Sequence, residues 1–238
     1  MLLLRVLVFS FFSLLPCVSS AECRQALALG LDVSGSVDLR EYRLQLDGLV
    51  AALNQPEIVK TLLAVPNAPV TLMVYEWSGP EDSQILVPWT SITGRDVLQE
   101  VSSTLATAER RAATPGTALG VAMLSGAGFL EQQSHCWKRT LDISGDGKSN
   151  LGPRPRDLKA RIAAQGVTIN ALVIGSDAPS IGDRRYVEIS ELTSYFRSEV
   201  ITGPDAFVQT SIGFEDYAEA MTRKLKRELE GVVIGRLQ

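Results

Sequence analysis

The chain has 238 residues, 45% hydrophobic, 21% charged and 6% aromatic, with one histidine and a formal net charge of -4. These proportions exclude a disordered, collagenous or coiled-coil protein, and the acidic balance gives no electrostatic footprint for nucleic acid. The length suits one large domain, while a mean hydropathy of +0.11 is high for a soluble one.

Part of that hydropathy has a local source. One positive residue, Arg5, precedes an apolar run over 6–15, and small residues follow at Ser19 and Ala21. This is the pattern of a secretory signal peptide over residues 1–21, cleaved after Ala21. Ser10, Ser13 and Pro16 interrupt the run, which is too short for a membrane span. The expectation is a periplasmic or secreted domain over residues 22–238, with no membrane span after cleavage. Export leaves Cys23 and Cys136 in an oxidising compartment, where a disulfide is the economical reading. Neither cysteine has partners at the spacing of a zinc site.

Residues 25–31 form an apolar run ending in Asp32, the pattern of a strand buried on both faces. Over 38–54, Leu39, Tyr42, Leu46, Leu49, Val50 and Leu53 recur at helical spacing and predict an amphipathic helix. Pro56 opens a short helix through Leu63. Val70 to Trp77 reads as a strand, followed by the turn residues Ser78, Gly79 and Pro80 and a short antiparallel strand from Gln84 to Trp89. A helix over 95–108 precedes a loop rich in Thr, Pro and Gly, and a small-residue helix runs from Thr117 to Leu130. Lys138 to Ser144 is a strand ending at Gly145-Asp146-Gly147, and Pro155 to Gln165 a helix closed by Gly166. Val167 to Ile174 is an almost wholly apolar strand. A mostly helical stretch over 184–200, a short strand over 206–209 and an amphipathic helix over 214–230 complete the chain. Strands alternating with helices predict a doubly wound α/β sandwich with a mostly parallel sheet, in which function gathers at the carboxyl ends of the strands.

Three oxygen-rich segments fall at those ends: Asp32-Val33-Ser34-Gly35-Ser36, Gly116-Thr117 and Gly145-Asp146-Gly147. A carboxylate with hydroxyls at alternate positions can turn its oxygens to one centre from a tight loop. A second carboxylate and a third hydroxyl complete a site for a hard cation, which suits magnesium. The plainer alternative is an ordinary strand-to-helix loop in which Ser36 or Asp38 caps the next helix. Thr114 is a competing hydroxyl close to Thr117.

Asp-x-Ser-x-Ser after the first strand, Thr117 opening a later helix and Asp146-Gly147 after the fourth strand resemble the von Willebrand factor A domain family and its metal-ion-dependent adhesion site. Leu119, Ala122 and Met123 fit the positions that follow the family's threonine. The stretches Tyr75-Glu76-Trp77-Ser78-Gly79, Val87-Pro88-Trp89-Thr90, Asp142-Ile143-Ser144-Gly145-Asp146-Gly147 and Ala206-Phe207-Val208 narrow the likeness. They are similar to a subfamily of secreted A-type domains, typical of proteobacteria and catalogued as a domain of unknown function.

The resemblance implies a Rossmann-like three-layer sandwich whose six-stranded sheet has the order 3-2-1-4-5-6 and one antiparallel edge strand. It also implies that Asp32, Ser34, Ser36, Thr117 and Asp146 hold Mg2+, with Mn2+ as an alternative. A carboxylate from a protein or other partner then completes the coordination. In the family sheet the first and fourth strands are parallel neighbours, which brings Cys23 and Cys136 together at the end opposite the metal.

Several other readings fail or stay open. Gly147-Lys148-Ser149 lacks the upstream glycine of a phosphate loop, since Asp142 stands there. The EF-hand-like start at Asp142 has Pro153 where a glutamate is needed. His135 lies far from the oxygen-rich loops, with no nucleophile elbow. Glu76 and Trp77 are either a hairpin anchor or a wall of the ligand surface. Arg110 and Arg111 are either solvated or steer an acidic partner. Lys224, Lys226 and Arg227 read as a solvated helix face. The function expected is a secreted or periplasmic binding module, not an enzyme. The rivals are a structural envelope module with a non-functional metal site and a metal-dependent hydrolase.

Overall fold

The computed structural model of the chain describes residues 23–175 and 183–233; the expected leader over 1–21 lies outside them. Strand β1 (Gln25–Asp32) is buried along its whole length. Leu27, Leu29 and Leu31 enter one apolar core and Ala26 and Ala28 the other, so the strand is apolar on both faces because both are covered. The remaining strands are β2 (Val70–Trp77), β3 (Gln84–Ser91), β4 (Lys138–Gly145), β5 (Val167–Ile174) and β6 (Val208–Ser211). The sheet order is β3-β2-β1-β4-β5-β6, as expected, and β3 is its antiparallel edge.

Helices α1 (Leu39–Leu53), α2 (Pro56–Leu62), α3 (Arg95–Thr107) and α7 (Tyr217–Val233) cover one face. Helices α4 (Leu119–Glu131), α5 (Pro155–Ala164) and α6 (Asp183–Tyr195) cover the other. Among the described residues no helix is long and apolar enough to cross a membrane. Tyr75 crosses the sheet's second face to donate to the carbonyl of Ala122, 2.9 Å away. Its ring leaves no room for a side chain at position 30: a Cβ on Gly30 would lie 2.7 Å from the ring. Gly166 closes α5 at φ 75°, the left-handed cap that glycine accommodates.

The differences from the expected elements have local causes. The small-residue helix starts at Leu119, not Thr117, because Ala118 is its N-cap, with non-helical backbone angles (φ -94°, ψ 57°) and its amide donating to the carbonyl of Ser78 at 2.7 Å. Strand β6 starts at Val208, not Ala206. Gly203 and Asp205 both take left-handed backbone angles, and the chain turns there before joining β5. Strand β3 runs on to Ser91, which pairs with Thr71. A π-helical turn over Phe196–Val200 ends the helical stretch that α6 begins. Leu39 continues the apolar stripe of α1 but is 72% exposed, beyond the core.

The solvated-face reading of α7 is corrected at Lys224. Lys224 is fully buried, 2.5 Å from Asp142 Oδ2 on β4 and 2.7 Å from Glu228 Oε1. Asn170 on β5 also donates to Glu228, at 2.7 Å. Charge spacing along the helix agreed with solvent exposure, and it was silent about Asp142 on the sheet beneath. Lys226 and Arg227 are exposed, Arg227 over the Phe207 ring at 3.9 Å.

Candidate metal centre

Strands β1 and β4 run side by side in parallel, with Gly30 opposite Ile143, so the loops after Asp32 and Gly145 leave the sheet together. The first loop is tightly wound: Asp32 Oδ1 accepts from the Ser34 amide at 2.8 Å, and the Val33 amide donates to the Trp77 carbonyl at 2.9 Å. This turn brings the Ser34 and Ser36 hydroxyls within 3.2 Å of each other. Ser36 then donates to Asp146 Oδ1 at 2.8 Å, joining the two loops. Asp38 caps α1, accepting from the Glu41 amide at 2.8 Å, so Ser36 is not the cap.

Thr117 approaches from the third side. Its amide donates to Asn150 Oδ1 at 2.8 Å, and its carbonyl accepts from the Asn150 amide at 3.0 Å. Its Oγ1 lies 3.9 Å from where a Cβ on Gly147 would stand, next to Asp146. Thr114 is turned elsewhere: its amide donates to Asp82 Oδ2 at 3.0 Å, and its side chain lies over Gly79. The structure therefore brings together Asp32, Ser34, Ser36, Thr117 and Asp146, and leaves Thr114 outside.

Asp32 is wholly buried and its Oδ2 has no hydrogen-bond partner. Burial, and then the charge of Asp146, push its carboxyl up to about 7; burial likewise raises Asp146. Two crowded carboxylates, one with an orphaned oxygen, beside three hydroxyls form an all-oxygen donor set. That set fits a small hard divalent cation, whose charge would offset the cost of ionising both acids. A second group of candidate ligands, Cys23, His135 and Cys136, lies at the opposite end of the strands. Its two sulfurs are joined in a disulfide, with Cα atoms 4.5 Å apart.

Of the expected ligand-surface residues, Arg111 is exposed. Glu76 and Trp77 are buried, although Glu76 borders a hollow with Val33 and Arg111. Each is less than 5% exposed. Glu76 accepts from the Tyr42 hydroxyl at 2.6 Å, with its carboxyl raised by burial and opposed by Arg111 and Arg110. Trp77 packs beneath the site, its ring 3.6 Å from a Cβ placed on Gly145. Strand β2 is sealed by β3, whose Gln84 pairs with Glu76.

Three supporting residues escaped the sequence reading. Gln45, buried on α1, donates to the Asp32 carbonyl at 3.0 Å; a glutamine beside Leu46 on a buried helix face was the available signal. Arg110 donates to the carbonyls of Val33 and Ser34 at 3.2 and 3.3 Å. It braces the loop, a role that neither of the two readings of Arg110 gave. Asn150, which holds Thr117, carried no local signal because the pairing spans two loops.

The family model described as protein of unknown function (DUF1194) matches residues 22–233. No curated protein matches the sequence. Among solved structures, proximal thread matrix protein 1 from the mussel byssus superposes with a TM-score of 0.58 at 15% identity, covering 88% of this chain and 49% of that one. The mussel protein with a zinc-occupied MIDAS motif gives 0.57 at 17% identity, covering 88% and 48%. The pilus adhesin SpaC from Lactobacillus rhamnosus GG gives 0.58 at 13% identity, covering 89% and 30%. A von Willebrand factor type A protein from Catenulispora acidiphila gives 0.57 at 15% identity, covering 87% and 43%. This chain thus spans about half of the mussel protein and under a third of the adhesin. At such identities the likeness establishes a von Willebrand factor A-like fold. The match along nearly the whole chain establishes the family: the protein belongs to the family described as protein of unknown function (DUF1194).

Proposed function

We propose that this is a periplasmic or secreted, metal-dependent binding module of the adhesion type and not an enzyme. In this reading Asp32, Ser34, Ser36, Thr117 and Asp146 hold Mg2+, or Mn2+ in its place, directly or through water. When bound, the ion supplies a Lewis-acidic position for a carboxylate from a partner protein or other ligand. The observation that carries the reading is the linked hydroxyls of Ser34 and Ser36 bonded to Asp146, with Thr117 beside Gly147 and an orphaned Oδ2 on buried Asp32. The mussel relative with a zinc-occupied motif of the same kind supports it. The binding role is favoured over hydrolysis because the one histidine, His135, stands beside the disulfide at the far pole.

Titration calorimetry with magnesium and with manganese tests the site. Wild type should bind either ion with one-to-one stoichiometry, and Asp146→Ala should bind neither. No heat from wild type with either ion would sink the reading in favour of a structural module. Assays with phosphoester and peptide substrates, with and without magnesium, test the non-enzymatic role. Turnover that vanishes in Asp32→Ala would overturn it.

A further inference from the structure

We infer that the pole opposite the proposed metal site carries a second site, for a small organic anion with one carboxylate and an apolar body. Strand β6 pairs with β5 only from Ala171–Val208 to Ile174–Ser211, so the first half of β5 lies beyond its cover. Before β6 the chain turns through Gly203 and Asp205, both at left-handed angles, and Gly203 closes against Thr168. Between the starts of β4 and β5, this turn and the second half of α7 lies a hollow of about 500 Å³. Trp137, Val167, Pro204 and Phe207 give it an apolar wall, with Trp137 39% exposed.

The cations in this hollow are short of acids. Lys138 is half-buried, and it donates to a backbone carbonyl, that of Glu228, at 3.2 Å. It has no carboxylate at ion-pair distance among the described residues. Burial holds its ammonium below the usual lysine range, a penalty that the charges of Glu228 and Asp205 offset only in part. Glu228 turns its carboxylate to Lys224 and Asn170 and is 1% exposed. Arg227 lies over the Phe207 ring at 3.9 Å and makes no ion pair or hydrogen bond among the described residues, so its N–H groups are free. A guanidinium held by stacking is already oriented to take an oxyanion with two parallel hydrogen bonds. An anion seated there would also repay the desolvation of Lys138. With Arg139, the lining holds three cations against two anions, Asp205 and Glu228. That excess of one charge suits a carboxylate better than a phosphate monoester, which carries nearly two. The apolar wall beside the cations then takes the body of the ligand.

The test follows backbone amide and tryptophan indole signals by NMR while the protein is titrated with phenylacetate, phenylacetamide, acetate or phenyl phosphate. Phenylacetate should shift the Trp137 and Thr168 signals saturably, with a Kd on the order of 1 mM or tighter, in magnesium and in chelator alike. Phenylacetamide lacks the charge and acetate the apolar body, so each should bind about tenfold or more weaker. Arg227→Gln, at an exposed position, should weaken phenylacetate by about tenfold or more and leave signals away from the hollow unchanged. Equal affinity for the acid and its amide, or no saturable shift from any probe, would overturn the inference. Tighter binding of phenyl phosphate would overturn the assignment of a single carboxylate. Shifts confined to Asp146 and Gly147, and lost in chelator, would overturn the second site while supporting the metal reading above.

Discussion

Asp32 performs two tasks with its two oxygens. Oδ1 winds the loop by accepting the Ser34 amide, whereas Oδ2 is buried with no partner. Burial and the neighbouring Asp146 disfavour its charge, so an ionised Asp32 costs stability in the metal-free protein. Asp32→Asn keeps a carbonyl oxygen for the Ser34 amide and removes that charge. The variant should therefore be at least as stable as wild type towards urea in chelator. Wild type should gain about 2.7 kcal/mol in magnesium at a hundredfold excess over its Kd, and the variant nothing. A variant clearly weaker than wild type in chelator would mean that Asp32 is held by contacts that need its charge. Gln45 makes a companion case: Gln45→Ala takes a buried donor from the Asp32 carbonyl, and should cost about 1–3 kcal/mol in urea unfolding.

At the scale of elements, the charged cluster ties α7 to β4. Two carboxylates, Asp142 and Glu228, share one ammonium, Lys224, in a place sealed from water. Lys138 donates to the Glu228 carbonyl at 3.2 Å. Tyr75 and Tyr217 face Asp142 from the other elements packed around it. Burial pushes the Asp142 carboxyl up to about 7, with Lys224 opposing and Glu228 adding to the rise. Its folded value lies above its ordinary 3.8, so the native state binds this proton more tightly than the unfolded chain does. Its contribution to stability is therefore present below about pH 4, falls as pH rises through 7, and is flat above. Asp142→Asn leaves one ammonium with one carboxylate and should flatten that part of the stability–pH curve in chelator. The other raised acids, Asp32, Glu76 and Asp146, remain in both proteins and cancel from the comparison. Lys224→Met, by contrast, leaves two buried acids unpaired and should cost about 3–5 kcal/mol at neutral pH. Helix boundaries set by local chemistry were legible here: Asp38 was one of two candidate caps for α1, and Pro155 and Gly166 marked the two ends of α5. The burial of Lys224 was not, because the acid that holds it lies on a strand far away in sequence.

Across the whole molecule, the loops of the proposed metal site and the disulfide occupy opposite ends of the same two strands. The alternation of elements made the doubly wound sandwich legible, and the family motif made the strand order so. The bracing by Arg110 and Asn150 was hidden because each joins loops that only the folded sheet brings together. Cys23 and Cys136 precede β1 and β4, and the Trp137 amide bonds to the Cys23 carbonyl at 2.9 Å, so the pair extends the ladder backwards. The bond links residues 113 apart, so its main effect is on the unfolded chain, whose freedom it restricts by about 5 kcal/mol in the chain-entropy model. Strand register does not depend on it, since β1 and β4 are paired without interruption from Gln25–Lys138 to Gly30–Ile143. Replacing both cysteines by alanine should therefore lower stability to urea by about 2–5 kcal/mol. Magnesium affinity, measured by calorimetry well below the unfolding transition, should stay at the wild-type value. A parallel fall in affinity would mean that the bond strains or aligns the strands as far as Asp32 and Asp146, and acts on the folded state.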